Sequence, residues 1–263
     1  KIDAELSKES AEDSYDFDSE HGMESGSDFF DVIRKQSSIE TEEELEHAVN
    51  GLSEDQLRVY KLFVENIEHY YKHQSKPSTC CCGNFEPVRL YVSGFAGSGK
   101  SHLIKTLMGY QYVKSEVRKE PCHLLLGAPT GIASFNISGQ TLHSMWNLPV
   151  EHGGAARYKP LTPTMRNRMQ GNYFHACGHI IDEVSMISNT MLMHLNMRMA
   201  EVKGNKELFG GMPIIMFGDL FQLEPVCSQP PFVRLAPGQI NHIFGGIPCS
   251  PDICKCFSFD KLS

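Results

Sequence analysis

The 263-residue chain has no apolar run near the roughly 18 residues that a membrane-spanning helix requires. Its first ten residues, KIDAELSKES, contain no apolar stretch of the secretory kind, so an intracellular protein is the simplest expectation. Nine cysteines are present, but the paired C-x-x-C spacing of structural zinc sites is not. Cys80, Cys81 and Cys82, and then Cys249, Cys254 and Cys256, are therefore expected to be free thiols rather than metal ligands. Nor is the spacing that of a small disulfide scaffold in a chain of this size. Apolar residues are not lacking: at 41% they suffice for a core.

Basic residues are scarce only at the start. Residues 1–50 carry 16 acidic and 4 basic side chains, a net of −12, whereas residues 51–263 carry 16 and 20, a net of +4. The whole-chain value of −8 hides this contrast. The first segment is serine-rich and poor in apolar residues, so it cannot offset its ordering entropy by burial. It is expected to be disordered, with a short helix near TEEELEHAV. The mildly positive body is compatible with a polyanionic partner without demanding one.

Three segments follow: residues 1–50, a body over 51–236, and a tail over 237–263. The body opens with LSEDQLRVYKLFVENIEHYY, where Ser53 is a good N-cap and Leu57, Tyr60, Leu62, Phe63 and Ile67 recur at near-helical spacing. KPSTCCCGNFEP reads as a surface loop. Four short apolar runs then stand out: VRLYVSG, CHLLLGAP, GHIIDE and MPIIMFGD. Continuous apolar runs separated by helix-compatible sequence predict an α/β fold with a buried parallel sheet flanked by helices. Functional residues of such sheets collect at the carboxyl ends of the strands, where all four runs place small or acidic residues.

Gly94-Phe95-Ala96-Gly97-Ser98-Gly99-Lys100-Ser101 fits G-x-x-x-x-G-K-[ST] between an apolar run and the probable helix SHLIKTLM. Glycines let the backbone turn tightly enough to aim successive N–H groups at phosphate oxygens. The helix behind adds the positive end of its dipole. Lys100 would reach the β and γ phosphates of ATP, and the Ser101 hydroxyl would ligate Mg²⁺. The chain thus reads as a P-loop NTPase. Asp182 and Glu183 end the run HIIDE: the first is suited to holding Mg²⁺ through its water shell, the second to orienting and deprotonating the attacking water. Gln222 in FGDLFQLEPV is an uncharged group suited to sensing a γ-phosphate.

In this order the motifs resemble the superfamily 1 DNA helicases of the Pif (petite integration frequency) type, including the helicase parts of Helitron-like transposons. LSEDQ is similar to the family's Q motif and GFAGSGKS to its Walker A loop. APTGIASFNISGQTLHSMWNLP resembles motif Ia, IIDEVSM motif II, and GDLFQLEPV motif III. Kinases and GTPases have nothing like that motif Ia. The resemblance covers Leu52 to Val226 and implies a RecA-like ATPase domain in an ATP-dependent 5′→3′ DNA helicase of replication, repair, recombination or telomere maintenance. In a eukaryotic cell it implies a nuclear or mitochondrial location. By the same resemblance Gln56 binds adenine, and Gln222 couples nucleotide state to the grip on DNA. Thr130, His143 and Ser144 then lie in the region that faces single-stranded DNA. Two positions depart from the pattern: Glu224 stands where proline is usual, and Trp146 where phenylalanine is usual. Trp146 is expected to be a core ring rather than a base-stacking one.

Motors of this superfamily use two RecA-like domains, and nothing resembling the second follows Val226. The chain is expected to be the first motor domain alone. A non-motor nucleotide- or DNA-binding module derived from such a helicase is the alternative. An unrelated P-loop transferase is disfavoured by motif Ia and Gln222. Met186, Met191, Met193, Met197 and Met199, crowded after motif II, are expected to fill the core.

Overall fold

Two helices open the structure, each started by a side chain that caps it. Thr41 Oγ1 accepts from Glu44 N–H while the Glu44 carboxylate accepts from Thr41 N–H, a reciprocal capping box for α1 (Glu42–Asn50). Ser53 and Gln56 repeat it for α2 (Glu54–Ser75): Ser53 Oγ accepts from Gln56 N–H at 3.3 Å, and Gln56 Oε1 accepts from Ser53 N–H at 3.0 Å. The structure, a computed structural model, describes residues 38–75, 85–119, 122–149, 157–219, 222, 225 and 229–233.

Beyond α2 the described elements are β1 (Arg89–Ser93), α3 (Lys100–Arg118), β2 (His123–Ala128), α4 (Gly131–Asn136), β3 (Gln140–Thr141), α5 (Leu142–Trp146), α6 (Pro163–Asn172), β4 (Ala176–Ile181), α7 (Asn189–Lys203) and β5 (Ile214–Gly218). The five strands form one sheet in the order β1-β5-β4-β2-β3, and every pairing is parallel. Each of the four apolar runs became a strand. The fifth, β3, is only two residues long and polar, Gln140–Thr141, so it carried no apolar signal.

Alternate residues of β4 serve opposite layers. Gly178 faces Phe63 of α2, while His179 lies 5.7 Å from the Trp146 ring of α5. Helices α1, α2 and α3 therefore cover one face, and α5, α6 and α7 the other. Residues of β2, β4 and β5 are buried throughout, as strands covered on both faces must be. Met191, Met193 and Met199 fill the α7 side of the core as expected, and Trp146 is fully buried against Tyr173. Glu201 of α7 holds α6 and the segment before it, accepting from Tyr158 OH, Leu161 N–H and Arg166 as well as from Arg198.

One boundary moves. The short helix near TEEELEHAV is present, but it packs on the body instead of belonging to a separate acidic segment. Ile39, Leu45 and Ala48 are buried, and a Cβ on Gly109 of α3 would meet three Ile39 atoms at 2.7–2.9 Å. Average charge concealed this, because the acidic side chains of α1 point outward while its apolar positions are spaced for burial. Residues 1–37, the tail over 237–263 and the Cys80–Cys82 and Cys249–Cys256 clusters lie outside the described residues. So does Glu224.

Candidate active site

The phosphate loop leaves β1 at Ser93 and turns directly into α3. Gly97 and Gly99 have φ of +79° and +84°, a left-handed conformation that an L side chain adopts at a cost. A Cβ on Gly99 would also lie 2.5 Å from Gln56 Nε2. Gly99 is the N-cap of α3 and offers no side chain to satisfy its first N–H groups, which leaves that helix end suited to an anion. Ala96, Gly97 and Ser98 are exposed, and so is Ser101 at the first turn of the helix. Lys100 Nζ donates to Gly94 O at 2.6 Å and to Phe95 O at 3.0 Å.

Strand β5 lies beside β1, and β4 beside β5, so their carboxyl ends adjoin the loop. Gly94 N–H donates to Gly218 O at 3.1 Å, tying loop to β5. Asp182 follows β4 directly, its N–H bonded to Gly127 O at 2.9 Å. Glu183 is the next residue, at φ 54° and ψ 43°, a left-handed turn unusual for a residue with a side chain. Its N–H donates to Asp182 Oδ1 at 2.9 Å, which holds the turn in place. Both carboxyls are half-buried and pushed above the usual range. For Asp182 the cause is burial, opposed by the Glu183 N–H and by Lys100. For Glu183 it is burial and then the Asp182 charge, opposed by Lys100. Lys100, Asp182 and Glu183 thus share one electrostatic neighbourhood, although 82 residues separate Lys100 from Asp182 in sequence.

Asp219 escaped the sequence reading. It follows β5 as Asp182 follows β4, is only 5% exposed, and its charge also raises Glu183. An acid closing an apolar run was the signal available for it. Gln222 sits three residues further on, half-buried, with its N–H bonded to Asp219 O at 3.0 Å. Gln56, on α2, reaches the loop from the other side: Nε2 donates to Ser98 O at 3.0 Å.

Thr130, His143 and Ser144 cluster at the carboxyl ends of β2 and β3, the far half of the same sheet edge. The Thr130 hydroxyl caps α4 by accepting from Ala133 N–H at 3.2 Å. Ser144 is exposed, and burial lowers His143 below its ordinary value, which favours the neutral imidazole. Beside Thr130, Ile132 and Phe135 stand three apart on α4 and are 80% and 83% exposed. Among the described residues no group of three or more His, Cys, Asp or Glu could hold a metal ion.

A parallel sheet with a glycine loop between its first strand and a helix, and carboxylates on the neighbouring strand ends, has the architecture of a P-loop protein. Residues 80–248 match the family described as PIF1-like helicase, and the chain belongs to that family. The ATP-dependent DNA helicase PIF1 of Emericella nidulans is 31% identical over 143 residues, covering 52% of this chain and 18% of that protein. The Bdellovibrio bacteriovorus Pif1 helicase is 34% identical over 138 residues, covering 52% and 29%. The human PIF1 helicase is 30% identical over 144 residues, covering 54% and 21%. The chain thus spans less than a third of the length of these relatives. The crystal structure of Candida albicans Pif1 aligns with a TM-score of 0.49 and 26% identity, covering 69% of this chain and 36% of that one.

Proposed function

We propose that the chain is the first motor domain of an ATP-dependent DNA helicase that translocates 5′→3′. The observation that carries this reading is the convergence of Lys100, Asp182, Glu183 and Asp219 on the contiguous ends of β1, β5 and β4 in a PIF1-like chain. In this reading the loop from Gly94 to Ser101 wraps the β and γ phosphates with backbone N–H groups, and Lys100 transfers its ammonium from two loop carbonyls to phosphate oxygens. The Ser101 hydroxyl would ligate Mg²⁺ and Asp182 would hold it through its water shell; oxygen donors beside a phosphate cradle fit this ion. An ion held there would supply positive charge against the charge that develops on the phosphates. Glu183 accepts the proton of the attacking water, and Gln222 reports the presence of the γ-phosphate. Gln56 reads the adenine.

Single-stranded DNA is proposed to run past the ends of β2 and β3. There Ser144 offers a neutral hydrogen-bonding group, and Ile132 and Phe135 offer exposed apolar surface suited to base contact. Unwinding needs a second RecA-like domain that closes on ATP and supplies arginine to the transition state; in other P-loop enzymes such an arginine is worth about 10³–10⁵ in rate. The test is strand displacement on a 5′-tailed duplex, comparing residues 1–263 with a protein that also carries the second domain. The two-domain protein unwinds in an ATP-dependent manner, and the shorter chain hydrolyses ATP feebly and does not unwind. Robust unwinding by residues 1–263 alone would overturn the two-domain reading.

A further inference from the structure

We infer that Gln56 is a positioning residue for the phosphate loop, holding Ser98 and Gly99 in their binding conformation whether or not a base is present. The inference rests on the nucleotide-site reading and adds to the adenine contact assigned to the same side chain. Its basis is the amide's two internal bonds. Oε1 accepts from Ser53 N–H at 3.0 Å, and Nε2 donates to Ser98 O at 3.0 Å. The orientation of the amide follows from its partners: an N–H requires the oxygen and a carbonyl requires the nitrogen. The reversed amide would set donor against donor and acceptor against acceptor.

The contact is close. A Cβ on Gly99 would meet Gln56 Nε2 at 2.5 Å, so the loop turns against the amide immediately before Lys100. Helix α2, which carries the amide, is itself fixed. Phe63 and Ile67 are buried, and at its far end Glu68 accepts from Tyr110 OH and from Arg118 of α3 at 2.6 Å. Helices α2 and α3 are therefore joined both by this ion pair and by the Gln56–Ser98 link at the loop. Between those ties the loop residues Ala96, Gly97 and Ser98 are exposed. Fixing the loop beforehand reduces the ordering entropy lost when phosphate binds. The amide keeps one N–H and one lone pair, enough for a base edge, so the two roles are compatible and only a ligand without a base separates them.

The probe is inorganic tripolyphosphate with Mg²⁺, measured alongside Mg-ATP by displacement of a fluorescent ATP analogue from the full chain. Gln56→Met keeps the volume and removes both bonds. Ser53→Ala removes the hydroxyl cap of α2 and leaves the Ser98 link. The expected result is tripolyphosphate binding about three- to tenfold weaker in Gln56→Met, with Ser53→Ala close to wild type. Wild-type tripolyphosphate affinity in Gln56→Met, with only ATP weakened, shows a base contact alone and overturns the inference. Equal weakening in Ser53→Ala assigns the effect to helix stability and also overturns it. A wild-type chain that binds neither ligand defeats the nucleotide-site reading itself, a result distinct from the other two.

Discussion

The ammonium of Lys100 lies 2.6 Å from the carbonyl oxygen of Gly94, six residues back along its own loop. The cation is thus held over the cradle by the backbone that forms it, and phosphate binding exchanges carbonyl partners for charged ones. Lys100→Ala is expected to weaken Mg-ATP binding on the order of 10²-fold, because charge-assisted bonds to the phosphates lose their donor. Titration with a fluorescent ATP analogue measures this. Equal affinity in the two proteins would remove Lys100 from the site.

Glu183→Gln is expected to leave ATP binding nearly intact and to lower hydrolysis by about 10²–10⁴-fold, since the amide keeps the shape and loses the base. The measurement is steady-state phosphate release in the two-domain protein with single-stranded DNA present. A variant that turns over at the wild-type rate excludes Glu183 as the base.

Burial and the Asp182 charge raise the pKa of Glu183, and a base works only when deprotonated. Activity is therefore expected to fall on the acid side of the profile, at a pH above that of an ordinary exposed glutamate. Mg²⁺ and nucleotide change the local charge, so the relevant profile is kcat/KM, which reports the free enzyme. An acid limb at or below the pH of an unperturbed glutamate would contradict the burial seen here.

His179 is fully buried next to Trp146, and burial pushes its pKa down to about 3. The unfolded chain takes up this proton near pH 6.5, whereas the folded chain does not. Stability from the neutral ring is complete above about pH 6.5 and is lost progressively as pH falls towards 3. His179→Phe should flatten this part of the urea-midpoint profile, and an unchanged slope would assign the acid sensitivity elsewhere.

A chain beginning at Gly51 should unfold at lower urea than one beginning at Ser38. The shorter chain loses the burial of Ile39, Leu45 and Ala48, at about 1.5–3 kcal/mol for each large side chain. Equal midpoints would show that α1 adds nothing to the body.

Much of this protein is determined locally and is legible in its sequence. The four apolar runs specify buried strands because a strand covered on both faces needs no polar alternation. The loop from Gly94 to Ser101 is legible because φ near +80° and backbone exposure to phosphate admit few residues but glycine. The acids that close the runs, Asp182 and Glu183, follow from the rule that parallel strands deliver chemistry at their carboxyl ends.

Strand order is a different matter. Only the packed sheet, β1-β5-β4-β2-β3, sets the phosphate loop, Asp219 and the Asp182–Glu183 pair on neighbouring strand ends and puts Thr130, His143 and Ser144 on the far half. Two further features depend on contacts distant in sequence: Gln56 on the Ser98 carbonyl and Ile39 against Gly109. Residue type and spacing constrain a segment's conformation. Which segments meet is decided by the shared burial of their side chains, and that becomes defined only when the whole core closes.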